Sequence, residues 1–391
     1  MLKQYQNTGK PFILCVYDYE DWILGTWAKE IKNLYSDTHI IINVSMFTEK
    51  RKLLSKLVKM ADAVFLLLPH AFDLIYDMKP KIIITAVHHW VNYSDFFDNP
   101  IQHSNYIVTP SNEWYKKILD KNKKGEFIKT ENADITVIHS GYSHFFNKSY
   151  NRSFLHKKDK FSIGFFAKKD SNEYDRKGTK NFMNIIKMLN PNYYRLIITG
   201  FGWDEFVKEI IDMNFEVKYY KHLKTEIMNE MYQNIDIYLI LSNIEGGPAT
   251  IPEAMISGCI LLTTKVGLAL DIIKDGENGF FIDNKNEIEI IKLLELLRTN
   301  TQLCNQISYN AYLYAKDNLS YANTFINLKY LFDKIPNFHN SNYDTINRIG
   351  KKINKFSIKV NFSENKKQIN SLLSFFRYLR IKLYENIRYY L

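Results

Sequence analysis

The chain has 391 residues and a net charge of +10, long enough for two domains of ordinary size plus an extension. Its three cysteines, Cys15, Cys259 and Cys304, are an odd number with no Cys-x-x-Cys pair, which argues against a disulfide framework and against zinc. No stretch approaches the roughly 18 uninterrupted apolar residues of a membrane span, and the first residues, Met-Leu-Lys-Gln-Tyr-Gln-Asn, have no apolar signal core, so the protein is expected in the cytoplasm.

Apolar strand-like runs alternate with amphipathic helical runs, the pattern of parallel sheets covered by helices on both faces. The first domain, residues 1–150, has strands expected at 12–17, 40–44, 63–68, 81–87, 106–109 and 136–139. Gly25 follows the first of these and is a weak candidate for contact with a phosphate or an acceptor, or an ordinary helix-start glycine. The fourth strand ends in His88 and His89. A polar stretch over 148–160 reads as a hinge. The second domain, residues 160–320, has strands expected at 161–166, 195–199, 216–220, 237–241, 260–263 and 279–282. The loop after its first strand carries Asp175-Arg176-Lys177-Gly178, and Gly200 and Gly202 follow its second, where glycine serves either a close ligand approach or a tight turn.

After the fourth strand comes Ser242-Asn-Ile-Glu-Gly-Gly-Pro-Ala-Thr-Ile-Pro-Glu-Ala-Met-Ile-Ser-Gly258, with Glu245 and Glu253 separated by seven residues. Pro252 suits the first turn of a helix, and Gly246 and Gly247 let the backbone approach a ligand closely. A helix start presents free N–H groups and a positive dipole end that favour phosphate, while a carboxylate there accepts bonds from hydroxyls. The local chemistry suits a phosphorylated, hydroxyl-rich ligand.

From Ser242 to Asp283 the chain resembles the signature of retaining GT-B glycosyltransferases of the large Glu-x7-Glu type: Glu-Gly-x-Pro, Glu-Ala-Met-x-x-Gly, Val266-Gly267 and Ile272-Ile-Lys-Asp-Gly-Glu-Asn-Gly-Phe280. The resemblance extends to Ala133–Phe146, where Gly141 matches the glycine of a loop closing the first domain. It implies an α/β GT-B fold, two Rossmann-like domains facing across a cleft, the first holding an acceptor and the second a nucleotide-sugar. It further implies that Glu245 meets the donor sugar and Glu253 the ribose, with Gly246, Gly247, Pro248 and Gly202 lining the donor site. Lys177, with Arg176 as the nearest second cation, neutralises the pyrophosphate. The arginine often found after the strand's glycine is absent, since Phe165 stands there. His88, or failing it His89, approaches the sugar from the first domain. No Asp-x-Asp metal motif appears in the loops assigned to the site, so no metal or other cofactor is expected beyond the donor itself. The function implied is transfer of a sugar to a glycan or lipid-linked acceptor in surface polysaccharide or glycolipid synthesis. The alternatives are an inactive GT-B scaffold recruited to membranes and a sugar-nucleotide epimerase.

Residues 321–336 have helical spacing of Phe325, Leu328, Leu331 and Phe332, and the resemblance places a helix here that returns to the first domain. Residues 337–391 are read as a basic tail: from Ile346 onward eleven lysines and arginines face two acids, a net +9, which leaves the body nearly neutral. That asymmetry points to an anionic partner. Ile369, Leu372, Leu373, Phe376, Leu379, Leu383, Ile387 and Leu391 share one helical face with basic margins, as in an interfacial membrane helix or a helix packed on a protein partner. Peripheral attachment at the inner face of the cell membrane follows from the first reading. Nucleic acid is not expected, because no recognised nucleic-acid module is present.

Overall fold

Two six-stranded, all-parallel sheets carry the chain in a computed structural model that describes residues 9–88, 100–123, 134–146, 149–154, 160–169, 175–338 and 343–354. The first runs β2-β1-β3-β4-β5-β6 and is formed by β1 (Phe12–Tyr17), β2 (Ile40–Ser45), β3 (Ala63–Leu66), β4 (Ile83–Ala86), β5 (Tyr106–Thr109) and β6 (Asp134–Val137). Its main helices are α1 (Ile23–Tyr35), α2 (Arg51–Met60) and α3 (Asn112–Lys123). Every residue of β1, β3 and β4 is buried, as expected of strands covered on both faces.

The second sheet runs β12-β11-β10-β7-β8-β9. Its strands are β7 (Phe161–Phe166), β8 (Tyr194–Thr199), β9 (Glu216–Tyr220), β10 (Ile237–Ile240), β11 (Ile260–Thr263) and β12 (Phe280–Phe281). The helices are α4 (Thr179–Met188), α5 (Asp204–Asp212), α6 (Thr225–Gln233), α7 (Thr250–Ile256), α8 (Glu287–Thr299) and α9 (Thr301–Asn318). Because β7 lies between β10 and β8, the connections leaving β7 and β10 diverge to opposite sides. Such a switch point opens a crevice at the carboxyl ends of the two strands, where ligands bind in open α/β sheets.

The expected strands all form, with small shifts: 136–139 becomes Asp134–Val137, because Tyr106 pairs with Asp134 and Thr109 with Val137. The return helix is α10 (Ile326–Asp333), which with the turn Tyr321–Thr324 buries Tyr321, Phe325, Leu328, Leu331 and Phe332 among Ile13, Trp27, Ile31 and Phe65 of the first domain.

Two readings of the connecting segments need correction. The supposed hinge is anchored at its described part: Arg152 donates to the carbonyls of Ile235 (2.6 Å), Ser257 (2.9 Å) and Tyr232, and Phe154 is fully buried in the second core. A guanidinium with several acceptors fixes residues 150–154 to the second domain, so a pivot cannot span all of 148–160. The start of the supposed tail is likewise body. Helix α11 (Tyr343–Asn354) buries Ile346, Ile349 and Ile353 among Ile40, Ile42, Leu54 and Val58, and Gly350 packs so closely on β2 that a Cβ there would lie 2.9 Å from the Ile42 side chain. The amphipathic stretch Ile369–Leu391 and His89 lie outside the described residues. Among the described residues, no helix is long and apolar enough to cross a membrane.

Candidate donor-sugar site

Glu245 follows β10 at the switch point and is buried, its side chain 8% exposed. Its carboxylate meets three donors: Lys177, Arg176 (Nη1 to Oε2, 3.1 Å) and the Ser242 hydroxyl (2.9 Å). Burial alone raises its pKa, but the charges of Lys177 and then Arg176, with the bonds from Lys177 and Ser242, outweigh burial and hold the group below the ordinary carboxylate value. Glu245 is an anion in the resting protein.

The loop bearing the two cations is built for that encounter. Asp175 accepts from Thr179 N (2.8 Å) and Lys180 N (2.7 Å) at the start of α4, and the Asn243 side chain donates to its carbonyl (2.8 Å). Gly178 has φ +71°, and a Cβ there would sit 2.1 Å from the Leu241 carbonyl. The turn therefore presses against the residue that follows β10, which brings Arg176 and Lys177 beside Glu245.

Glu253 lies in the first turn of α7, buried, with one hydrogen bond from the Tyr232 hydroxyl (3.0 Å). Burial pushes its pKa up to about 8, offset only in part by that bond. The two glutamates, with seven residues between them, thus differ in ionisation: Glu245 is charged and paired, while burial favours the protonated form of Glu253 near neutrality.

His88 approaches from the first domain by its backbone. A Cβ added to Gly246 would fall 1.2 Å from the His88 carbonyl oxygen, and one on Gly247 would lie 2.6 Å from Pro110. Glycine at both positions is therefore demanded by the opposite domain. The His88 ring points inward: Nε2 lies 2.8 Å from the Leu67 carbonyl and the ring packs edge-on against Trp27. A carbonyl only accepts, so Nε2 carries the proton and Nδ1 is the acceptor nitrogen. Burial pushes the pKa down to about 4. His88 can accept a hydroxyl bond but supplies no positive charge.

Several contacts across the cleft involve residues not picked out in the sequence. The Trp114 indole donates to the Glu245 carbonyl (2.8 Å), the Ser140 hydroxyl donates to the Gly247 carbonyl (2.5 Å), and Glu113 accepts from Gly267 N (2.6 Å). Asp271 accepts from Asn112 N (2.8 Å) and lies 3.1 Å from His139 Nε2. No local pattern announces them, since each pairs segments more than a hundred residues apart. Pro248 is half-buried beside this loop and accepts from Ile251 N (3.0 Å).

The other candidate glycines serve the backbone. Gly202, at φ +90°, and Gly200, at φ +137°, pack on the carbonyls of Lys169 and Ala167, and a Cβ on Gly25 would meet the carbonyls of Glu20 and Tyr19 within 2.5 Å. Gly141 packs on the Leu319 carbonyl in the same way. Among the described residues no cluster of three metal-ligating side chains occurs.

Residues 155–314 match the family model described as glycosyl transferases group 1. A Campylobacter jejuni N,N'-diacetylbacillosaminyl-diphospho-undecaprenol alpha-1,3-N-acetylgalactosaminyltransferase is 24% identical over 161 residues, 41% of this chain and 42% of its own length. An uncharacterized glycosyltransferase of Haemophilus influenzae is 26% identical over 151 residues, 37% of this chain and 42% of its own. The chain thus spans less than half the length of these curated relatives. Among solved structures, Anabaena HepE in complex with UDP and glucose superposes with a TM-score of 0.63 at 16% identity, over 83% of this chain and 99% of that one. Sucrose-phosphate synthase from Thermosynechococcus elongatus gives 0.66 at 9% identity over the same shares. At these identities the likeness establishes the fold: the chain has the two-domain GT-B architecture.

Proposed function

We propose that this chain, whose residues 155–314 form a group 1 glycosyl transferase domain on a GT-B fold, is a retaining glycosyltransferase that moves a sugar from a nucleotide-sugar to a glycan or lipid-linked acceptor. The observation that carries the reading is the cluster of Glu245, Arg176 and Lys177 at the switch point, with buried Glu253 eight positions on. Breaking the anomeric C–O bond leaves negative charge on the departing diphosphate and positive charge on the sugar. Arg176 and Lys177 are already held in place and need only exchange Glu245 for phosphate oxygens, a preorganised electrostatic role. The backbone N–H groups of Ala249 and Thr250, past Pro248 at the start of α7, add to it. Released from the cations, Glu245 accepts the sugar hydroxyls, and Glu253 accepts the ribose hydroxyls. The His88 Nδ1 accepts a further sugar hydroxyl from the opposite domain. The acceptor attacks from the side of the leaving group, its proton passing to the phosphate, so no protein base is assigned. The proposal invokes no metal.

The relative from C. jejuni acts, by its name, on a diphospho-undecaprenol compound, which supports a lipid-linked acceptor here. HepE binds UDP, which makes uridine diphosphate sugars the first donors to test. Residues 355–391, with eight basic and two acidic side chains, are assigned to an anionic membrane face.

The test is a thermal-shift panel of nucleoside diphosphates and nucleotide-sugars on the full chain, beside Glu253→Ala and Lys177→Ala. One nucleotide series should raise the melting temperature, and both variants should lose the effect. With that donor, proton NMR of the product should show the donor's anomeric configuration. No response to any nucleotide would favour a scaffold without turnover.

A further inference from the structure

A cavity of about 380 Å³ opens beside the edge strand of the first sheet, between α1, β2 and α11, and is lined by none of Glu245, Arg176 and Lys177. It is within the size range of small-molecule sites. Two helix faces of matching composition frame it. On α1, Gly25, Ala28, Lys29 and Lys32 follow helical spacing, and on α11 so do Asn347, Gly350 and Lys351. On each, small residues keep the wall low and lysines stand at the margin. Lys29 lies 3.4 Å from Glu20, which also lines the cavity, but both are exposed and the pair is weak. Among the described residues, Lys32 and Lys351 have no carboxylate within 4 Å. Three ammonium groups against one carboxylate leave the lining at +2, and Asn33 and Asn347 add amide donors. Two lysines with no carboxylate partner among the described residues, on two separate helices around one cavity, match a compact dianion.

We propose that this cavity binds a phosphate monoester or diphosphate group, with Lys32 and Lys351 as its principal cations. That the group belongs to the acceptor or to a membrane lipid rests on the transferase reading above; the binding itself does not. Helix α11 is followed in sequence by the basic residues 355–391, which makes a lipid-borne phosphate one of the two sources to separate.

The probe is pyridoxal phosphate, whose aldehyde condenses with a lysine amine, losing water, and is trapped by borohydride and located by peptide mapping of the full chain. Lys32 and Lys351 should label about tenfold faster than the exposed Lys292, a preference of the size two nearby ammonium groups give a dianion. Pyridoxal without phosphate should show no such preference. Inorganic pyrophosphate protecting both lysines identifies a soluble phosphate group. Protection only by phosphatidic acid vesicles, and not by phosphatidylcholine alone, identifies a lipid headgroup. Equal labelling of Lys32, Lys351 and Lys292, or protection by neither ligand, would overturn the site. In Lys32→Gln/Lys351→Gln the protectable labelling of Lys29 should vanish while the melting temperature holds. Labelling of Lys177 reads the donor site separately, so the two readings fail independently.

Discussion

The two domains solve one structural problem identically and then part company. In the first, buried Asp62, just before β3, accepts from Phe12 N at the start of β1 (2.8 Å); in the second, buried Asp236, just before β10, accepts from Ser162 N, the second residue of β7 (2.8 Å). Each carboxylate ties adjacent strands at the end far from the site. At the other end the resemblance stops. Against the Glu245–Gly247 loop the first domain sets neutral groups, the His88 carbonyl, Pro110, the Trp114 indole and the Ser140 hydroxyl, while the second supplies Glu245, Arg176 and Lys177 from its own chain. The second domain thus supplies the charge at the loop itself, while the first acts mainly as a shaped wall, its Glu113 carboxylate holding the neighbouring Gly267 N.

The comparison breaks most readily at Glu253. Its folded pKa, about 8, lies above the unfolded carboxylate value of about 4.5, so between those values the folded state holds a proton the unfolded state has lost. Stability from this group is full below 4.5 and declines as pH rises to 8, by at most on the order of 5 kcal/mol. Glu253→Gln should flatten that decline in denaturant titrations across this range and leave the ligand-free protein more stable at pH 8 than wild type. An unchanged slope would mean the carboxylate is not buried as described.

Lys177→Ala removes one cation from the charged side. Turnover of the donor should fall about 10²–10³-fold, the usual cost of losing one preorganised partner of a developing charge. Gly246→Ala attacks the wall instead. Its methyl group collides with the His88 carbonyl, so the domains must separate, and a displacement of about 1 Å typically costs 10² in rate. If, as proposed, the second domain alone holds the diphosphate, nucleoside diphosphate binding should survive in Gly246→Ala and weaken in Lys177→Ala. The smallest effect sharpens the likeness itself: Asp62→Ala and Asp236→Ala should each cost about 1–3 kcal/mol in chemical denaturation, the penalty for orphaning a buried strand N–H.

Much of this was legible in residue order. Strands buried on both faces are near-continuous apolar runs, so all twelve were found, and Glu245, Glu253, Arg176 and Lys177 fall where local motifs point. What escaped detection depends on distant pairing. Ser242 looks like any strand-end serine until Glu245 folds back on it, and Trp114 and Ser140 become site residues only when the domains meet. Arg152 sits in a charged stretch that reads as solvated, yet it satisfies three buried carbonyls of the second domain. Helix α11 was mistaken for tail because its buried face is just Ile346, Ile349 and Ile353 among lysines and asparagines, too short a stripe to outweigh the surrounding charge.

That short stripe has a consequence for where the molecule can be cut. Strand β2, with Ile40, Ile41, Ile42 and Val44, is the border of its sheet and, among the described residues, pairs with β1 alone. Ending the chain at residue 336 would strip α11 from it and expose an apolar edge with unpaired backbone groups, the template on which separate molecules zip together and precipitate. Ending it after Asn354 removes most of the basic residues and keeps the cover, so solubility, rather than activity, is the first property to differ between the two truncations.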